Sequence, residues 1–198
     1  KIIARANATG VPADEYAAKM IETINGVMKQ LRVDDPNLWL KATQNIGNII
    51  DFITRLIEKG HAYATANGDV YFDVQSFPAY GQLSNRSIDD ALDGVRIDND
   101  DEKKNAYDFA LWKSAKPGEI FWESPWGQGR PGWHIECSAM NREAFGEQID
   151  LHGGGRDLIF PHHENEIAQT EALTGKPFVK YWTHNGLIKV NGQKMSKS

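Results

Sequence analysis

The 198 residues predict an α/β fold in which a nucleotide-binding core is interrupted by a separate piece mixing helix with an antiparallel hairpin. Three observations carry this. A strand-like run at 149–152 leads into Gly153-Gly154-Gly155 and then a helical stretch, the strand–Gly-rich turn–helix order of nucleotide-binding α/β units. Asn67-Gly68 sits between two strand-like runs, the strongest short hairpin signal. Residues 13–31 and 42–59 carry apolar side chains at helical spacing.

Taken in order, Ala17, Met20, Ile21, Ile24, Val27, Met28 and Leu31 predict a helix over 13–31 with one buried face. Ile46, Ile49, Ile50, Ile53, Leu56 and Ile57 predict another over 42–59, with Gly60 as its left-handed cap. Strands follow at 61–66 and 69–74. Residues 75–105 are polar and acidic, with a short helix capped by Ser87 and a solvated acidic run at 98–102. Residues 108–113 alternate as a strand does. Gly, Pro and Trp at 114–132 predict an irregular connection. Pro131-Gly132 opens a helix over 133–145, ended by Gly146. After the strand at 149–152, Pro161 suits the first turn of a helix reaching Leu173, and Gly175 and Pro177 stop it. Residues 181–190 are strand-like and feed a terminal loop after Asn191-Gly192. Residues 42–113 read as the inserted piece.

Hydrophobic residues at 40% and charged residues at 25% are ordinary for a globular domain. No run of about 18 apolar residues exists, so no membrane span is expected. The first seven residues are too short an apolar stretch for a signal peptide. They lack Met and read as mid-helix, which leads to the expectation that the chain is a piece missing its beginning. A net charge of −5 excludes whole-surface attraction to nucleic acid and leaves only local contacts. The single cysteine, Cys137, excludes an internal disulfide and fits a reducing, cytoplasmic location.

Three groups of residues suggest chemistry. Lys194-Met195-Ser196-Lys197-Ser198 presents two ammonium groups and two hydroxyls, which suits a polyphosphate gaining charge in a transition state. His162 and Glu166, four apart, share a helix face, and with Cys137 they offer nitrogen, oxygen and sulfur donors acceptable to zinc. His163, rotated by about 100°, is expected to donate a hydrogen bond rather than bind metal. Gly153-Gly154-Gly155 admits close approach of a ligand, and Asp157 is placed to accept from ribose hydroxyls. Trp133, one turn before Cys137, shares its face.

Together these stretches resemble the cysteinyl-tRNA synthetases, a family of class I aminoacyl-tRNA ligases. The resemblance rests on Gly132-Trp133-His134-Ile135-Glu136-Cys137-Ser138-Ala139-Met140, on His152-Gly153-Gly154-Gly155 with Asp157, on Phe160-Pro161-His162-His163-Glu164-Asn165-Glu166, and on residues 194–198. It extends along essentially the whole chain. It implies a Rossmann-type catalytic core, with 1–41 as a helical part of that core, 42–130 as a connective insertion, and 131–198 as the second half of the core. It implies activation of L-cysteine by ATP with Mg²⁺, then transfer to tRNA(Cys) through the full-length protein. By position, Cys137, His162 and Glu166 resemble three ligands of one zinc ion whose fourth ligand lies outside this chain. Trp133 resembles the wall of the cysteine pocket. Gly155 and Asp157 resemble the adenylate-contacting turn, Ile188 the backbone that meets adenine, and Lys194 and Lys197 the phosphate-contacting lysines.

The family's His-Ile-Gly-His motif and its remaining cysteine ligand do not occur in this sequence. The resemblance places both before Lys1. These 198 residues alone are therefore expected to show negligible catalysis and weak zinc binding, with a monomer as the working expectation. Three other readings stand beside this one: a cysteine ligase of the mycothiol-synthesis type, a hydrolase using Cys137 as nucleophile with His162 or His163 as base, and a non-catalytic insertion module.

Overall fold

The computed structural model describes residues 2–87 and 102–195. The expected helix after Ser87 and the acidic residues 98–101 fall outside them. The chain divides into two compact units, 1–39 and 40–198.

The first unit holds helix α1 (Ile2–Thr9) and helix α2 (Ala13–Gln30), joined at Gly10, where φ is +69°. Asp14 and Glu15 in the first turn of α2 and Lys29 in its last complement the helix dipole. The apolar stripe predicted for this helix is present, but its burial is not. Ile21, Ile24, Val27, Met28 and Leu31 stay between 41% and 66% exposed.

The second unit opens with a single 3₁₀ turn (Ala42–Gln44), then helix α3 (Ile46–Glu58). The helix starts later than its apolar spacing predicts. The Asn45 side chain donates to the Lys41 carbonyl at 2.9 Å and accepts from Asn48 at 3.1 Å, local bonds that compete with helix. At its end Gly60 takes φ +80° while Gly60 N–H and His61 N–H bond the Ile57 and Leu56 carbonyls, a Schellman cap. Strands β1 (Ala62–Ala64), β2 (Val70–Phe72), β3 (Phe109–Ser114) and β4 (Gly129–Pro131) form one antiparallel sheet in that order. The β1–β2 strands are shorter than expected, since Asn67 is used to tie the loop. Its side-chain oxygen accepts from Asp69 N–H at 3.0 Å and from the Thr65 hydroxyl at 2.7 Å.

Strand β4 lies where an irregular connection was expected. Its Gly and Pro residues serve contact rather than disorder. A Cβ on Gly129 would sit 2.2 Å from Trp112 Nε1, and one on Gly132 would sit 2.0 Å from the Ala110 carbonyl oxygen. Helix α4 (Trp133–Phe145) follows with Gly132 as N-cap.

Strand β5 (Ile149–Gly155) pairs in parallel with β6 (Val179–Asn185), and helix α5 (Glu164–Thr174) lies between them in sequence. This β–α–β unit corrects two expectations. Gly153, Gly154 and Gly155 belong to the strand, opposite Thr183, His184 and Asn185, and form no turn. Helix α5 begins at Glu164, not Pro161. Residues Ile159–His163 form a wide π-type turn broken at Phe160 (φ −132°, ψ 133°), with a cis Phe160–Pro161 peptide. Beyond β6, strands β7 (Lys189–Val190) and β8 (Gln193–Lys194) form a hairpin whose turn residues Asn191 and Gly192 have φ +51° and +79°, the two-residue type I′ geometry.

The larger of two hydrophobic clusters joins the helices of this unit to the antiparallel sheet, and a smaller one, of Ile149, Ile167 and Phe178, lies at β5 and β6. Ile49, Phe52, Ile53 and Leu56 of α3 meet Val70, Phe72, Leu111 and Trp112 of the sheet, Ile135 and Ala139 of α4, and Ala168, Ala172 and Leu173 of α5. Each large apolar side chain buried there contributes about 1.5–3 kcal/mol. The helices that carry the candidate site are thus packed on the same core as the antiparallel sheet. No helix among the described residues is long and apolar enough to cross a membrane. Gly132→Ala is expected to destabilise the protein by about 3 kcal/mol, the upper end of overpacking costs. Urea unfolding measures this, and a change below about 0.5 kcal/mol would contradict the packing described.

Candidate active site

Three elements bring Cys137, His162 and Glu166 together. Cys137 is on the first turns of α4, His162 in the wide turn before α5, and Glu166 in the first turn of α5. Their ligand atoms lie within 4.8 Å of one another. His162 and Glu166 are buried, and Cys137 is half-buried.

Glu166 has no solvent exposure. Its Oε2 accepts from His152 Nε2 at 3.0 Å. Its Oε1 lies 3.0 Å from His162 Nε2, an ion-pair distance, but among the described residues this oxygen has no hydrogen-bond donor. A buried polar atom without a partner costs about 1–3 kcal/mol, and more if charged. A cation between Oε1, His162 and Cys137 would remove that cost, so the donor set fits a zinc ion on chemistry as well as distance. Burial favours the neutral carboxyl, but the contacts with His152 and His162 outweigh it and hold Glu166 below its ordinary value.

His162 Nδ1 lies 2.9 Å from His134 Nδ1. Burial, reinforced by His162, pushes His134 down to about 3, so it is neutral at physiological pH. Were the shared proton on His162 Nδ1, its Nε2 lone pair would be free, the tautomer a metal ligand needs. Trp133 stacks on the His162 ring at 4.5 Å and 17° while remaining 58% exposed. It forms an aromatic wall open to a ligand. Gln169 on α5 donates to the His134 carbonyl at 3.2 Å and to Ser138 Oγ at 2.8 Å, bracing α4 against α5 one residue from Cys137.

Burial, then the carboxylates Glu166 and Glu136, push the Cys137 thiol up to about 12. By itself it is a protonated thiol and a poor nucleophile. That is the opposite of the lowered pKa that activates a cysteine hydrolase's nucleophile.

His163 turns away from Cys137. Its Nδ1 lies 2.8 Å from His184 Nε2 on β6, and it forms a second group with His152 and Glu166. A Cβ on Gly154 would sit 2.7 Å from the His163 ring, and one on Gly155 would sit 2.6 Å from an Asp157 oxygen. The glycines therefore make room for the site's own side chains. Asp157 pairs with Lys194 of β8, and both are partly exposed. This hydrogen bond holds the Asp157 carboxyl below its ordinary value. Ile188 is exposed, and its carbonyl accepts from Met195 N–H at 2.9 Å. Lys197 lies outside the described residues.

A cavity of about 580 Å³ borders the cluster through Trp133 and His134, and Lys113, Lys116 and Arg130 are among its lining residues. A second cavity of about 450 Å³, lined by Arg55, Lys59 and Arg142 among others, shares no residue with the cluster. His134, His152, Gln169 and His184 were not singled out from sequence. The available signals were the adjacency of His134 to Trp133 and the place of His152 before the glycine run.

Residues 1–198 match the family described as tRNA synthetases class I (C) catalytic domain. Over all 198 residues the chain is 56% identical to a cysteine–tRNA ligase of Syntrophotalea carbinolica, and 57% identical to those of Nitratidesulfovibrio vulgaris (strain DSM 19637 / Miyazaki F) and Geobacter metallireducens. It spans 41% of the length of each of these curated relatives.

Lys194→Ala should let the Asp157 carboxyl rise toward its ordinary value. Carbon-detected NMR titration of Asp157 reads this directly, and an unchanged value would contradict the pairing.

Proposed function

The chain belongs to the class I (C) tRNA synthetase catalytic-domain family, and we propose that it forms the metal-bearing and loop-bearing part of an enzyme that activates L-cysteine with ATP and charges tRNA(Cys). The observation that carries this reading is the convergence of Cys137, His162 and Glu166 within 4.8 Å around a Glu166 oxygen that lacks a donor. The relatives' printed names favour tRNA charging over the amide-forming ligase alternative.

In this reading residues 131–198 are the second half of a Rossmann-type core, residues 1–41 a helical part of its first half, and residues 42–130 a connective insertion. The parallel β5–α5–β6 unit supports a Rossmann-type arrangement. The insertion packs on the same hydrophobic cluster as α4 and α5, which gives the metal-site helices a rigid support. The full-length protein works in the cytoplasm.

The selectivity problem is cysteine against serine, which differ in one atom. An apolar pocket separates such pairs by only about 10- to 200-fold. When bound, zinc supplies a strong preference for a thiolate and lowers the pKa of a bound thiol. Cys137, His162 and Glu166 would hold it, with a fourth ligand from outside this chain. His162 keeps its Nε2 lone pair available by donating its Nδ1 proton to neutral His134, and His152 holds the other oxygen of Glu166. Trp133 walls the cysteine side chain.

In the reaction the cysteine carboxylate attacks the α-phosphorus of ATP. A C–O–P bond forms, the bond to the β-phosphate oxygen breaks, and pyrophosphate leaves with the electron pair. No general base is needed, because the attacking carboxylate is already ionised. Catalysis is then positioning and charge stabilisation. Asp157 accepts from the ribose, backbone at Ile188 meets adenine, and Lys194 and Lys197, with Mg²⁺, meet the phosphates. The Lys194–Asp157 pair, which brings the terminal hairpin against this carboxylate, supports the reading.

ATP–pyrophosphate exchange on the full-length protein tests the reading. Exchange should depend on cysteine, with serine rejected beyond the range of an apolar pocket. Removing metal with a chelator should abolish it and zinc should restore it. His162→Ala should raise the KM for cysteine and drop the cysteine-to-serine ratio into the range of about 10- to 200-fold. An unchanged ratio in that variant would sink recognition by metal, and no exchange in the zinc-loaded wild type would sink adenylation.

A further inference from the structure

Glu164, two residues before Glu166, is fully buried and plays no part in the site described above. It is held by a loop 80 residues earlier in the chain. One oxygen accepts from Gly81 N–H at 3.0 Å and from Leu83 N–H at 3.4 Å. The other accepts from Ser84 N–H and from the Ser84 hydroxyl, both at 2.8 Å. The same loop grips the neighbouring positions. Tyr80 donates its hydroxyl to Asn165 Oδ1. The Arg86 guanidinium lies 4.8 Å over the Phe160 ring, which Tyr80 also meets edge-on. The loop is closed on itself by Arg86 N–H bonding the Gly81 carbonyl at 3.1 Å. It closes so tightly that a Cβ on Gly81 would sit 2.0 Å from the Arg86 carbonyl oxygen.

The gripped positions, 160, 164 and 165, bracket His162. That histidine sits in the wide turn broken at Phe160, where no regular helical ladder fixes the backbone. Helical rotation places Glu164 and Glu166 on different sides of the first turn of α5. One faces the loop while the other faces His152 and His162. Burying a carboxylate is costly unless its lone pairs are filled, and here four donors fill them. Nothing about ordinary helix stability calls for that arrangement, since a Glu in a first turn is already favoured when exposed to solvent.

We propose that Glu164 is a positioning residue for the candidate metal site: through it the 80–86 loop clamps the segment 160–165 and sets where His162 and Glu166 stand relative to Cys137. This rests on the metal-site reading given above.

The test uses the full-length protein and three variants, Glu164→Gln, Ser84→Ala and Arg86→Ala. Zinc affinity is measured by chelator competition, the cobalt(II) absorption spectrum reports ligand geometry, and thermal unfolding of the metal-free proteins reports stability. Glu164→Gln keeps the shape but turns an amide NH₂ toward N–H donors. It should weaken zinc binding by about 10- to 100-fold, as for other groups that orient metal ligands, and should alter the cobalt bands. Ser84→Ala and Arg86→Ala should weaken binding in the same direction by smaller factors while the metal-free protein stays folded. A Glu164→Gln protein that melts earlier yet binds zinc with wild-type affinity and spectrum would overturn the proposal and leave a plain structural staple. Should Glu164→Gln fail to fold, wild-type zinc affinity in both other variants would overturn it equally. A wild type that takes up neither metal would refute the metal reading itself, an outcome visible before any variant is compared.

Discussion

Glu166 is a charged side chain with no exposure to solvent, and the elements around it are arranged to make that tolerable. Taking a carboxylate out of water costs several kcal/mol unless its oxygens are filled. His152 from β5 fills one. The other is left facing His162 and Cys137 without a donor. The chemistry of the site follows from this half-satisfied state. A neutral His134 can accept the His162 Nδ1 proton, which would leave a lone pair on Nε2, a protonated Cys137 offers sulfur, and a cation would satisfy all of them together. Metal binding would also outweigh the burial that keeps the thiol protonated, because a coordinated thiol is readily deprotonated.

Holding such a centre requires that its three donors stay fixed although they come from three different local structures. Helix α5 is buried along nearly its whole length. It is braced to α4 by Gln169 and to the 80–86 loop by Glu164. Both helices share the core formed by α3 and the antiparallel sheet. The glycines of β5 complete this support from the other side, by letting the His163 ring and the Asp157 carboxylate lie against bare backbone. A methyl group at either position would collide with a side chain of the site, so these glycines matter for internal packing at least as much as for admitting a ligand.

Much of this was legible in the sequence, and the failures have physical causes. The spacing of Ile49, Ile53 and Leu56 gave a buried helix because α3 has a sheet to face. The equally regular stripe of Ile21, Ile24 and Met28 gave the helix but not the burial, since periodicity reports the face and not what covers it. The Gly-, Pro- and Trp-rich stretch before α4 hid a strand, because Gly129 and Gly132 are required by contact with Trp112 and Ala110. Cys137, His162 and Glu166, singled out through their motifs, do converge, although the helical argument for the His–Glu pair was only half right: His162 precedes the helix. His152, His134 and Gln169 were missed because each acts across elements, where spacing along the chain carries no information. Of the two lysines assigned to phosphate contact, Lys194 rests on Asp157.

The central claim is that Cys137, His162 and Glu166 form a metal centre that recognises the substrate thiol. Its most direct test is the absorption spectrum of the full-length protein loaded with cobalt(II), recorded as cysteine or serine is added. Cysteine should strengthen the thiolate-to-cobalt charge-transfer band, by adding its sulfur to the protein's own sulfur donors, and serine should leave the band unchanged. Identical responses to the two amino acids, or no band before either is added, would contradict the account.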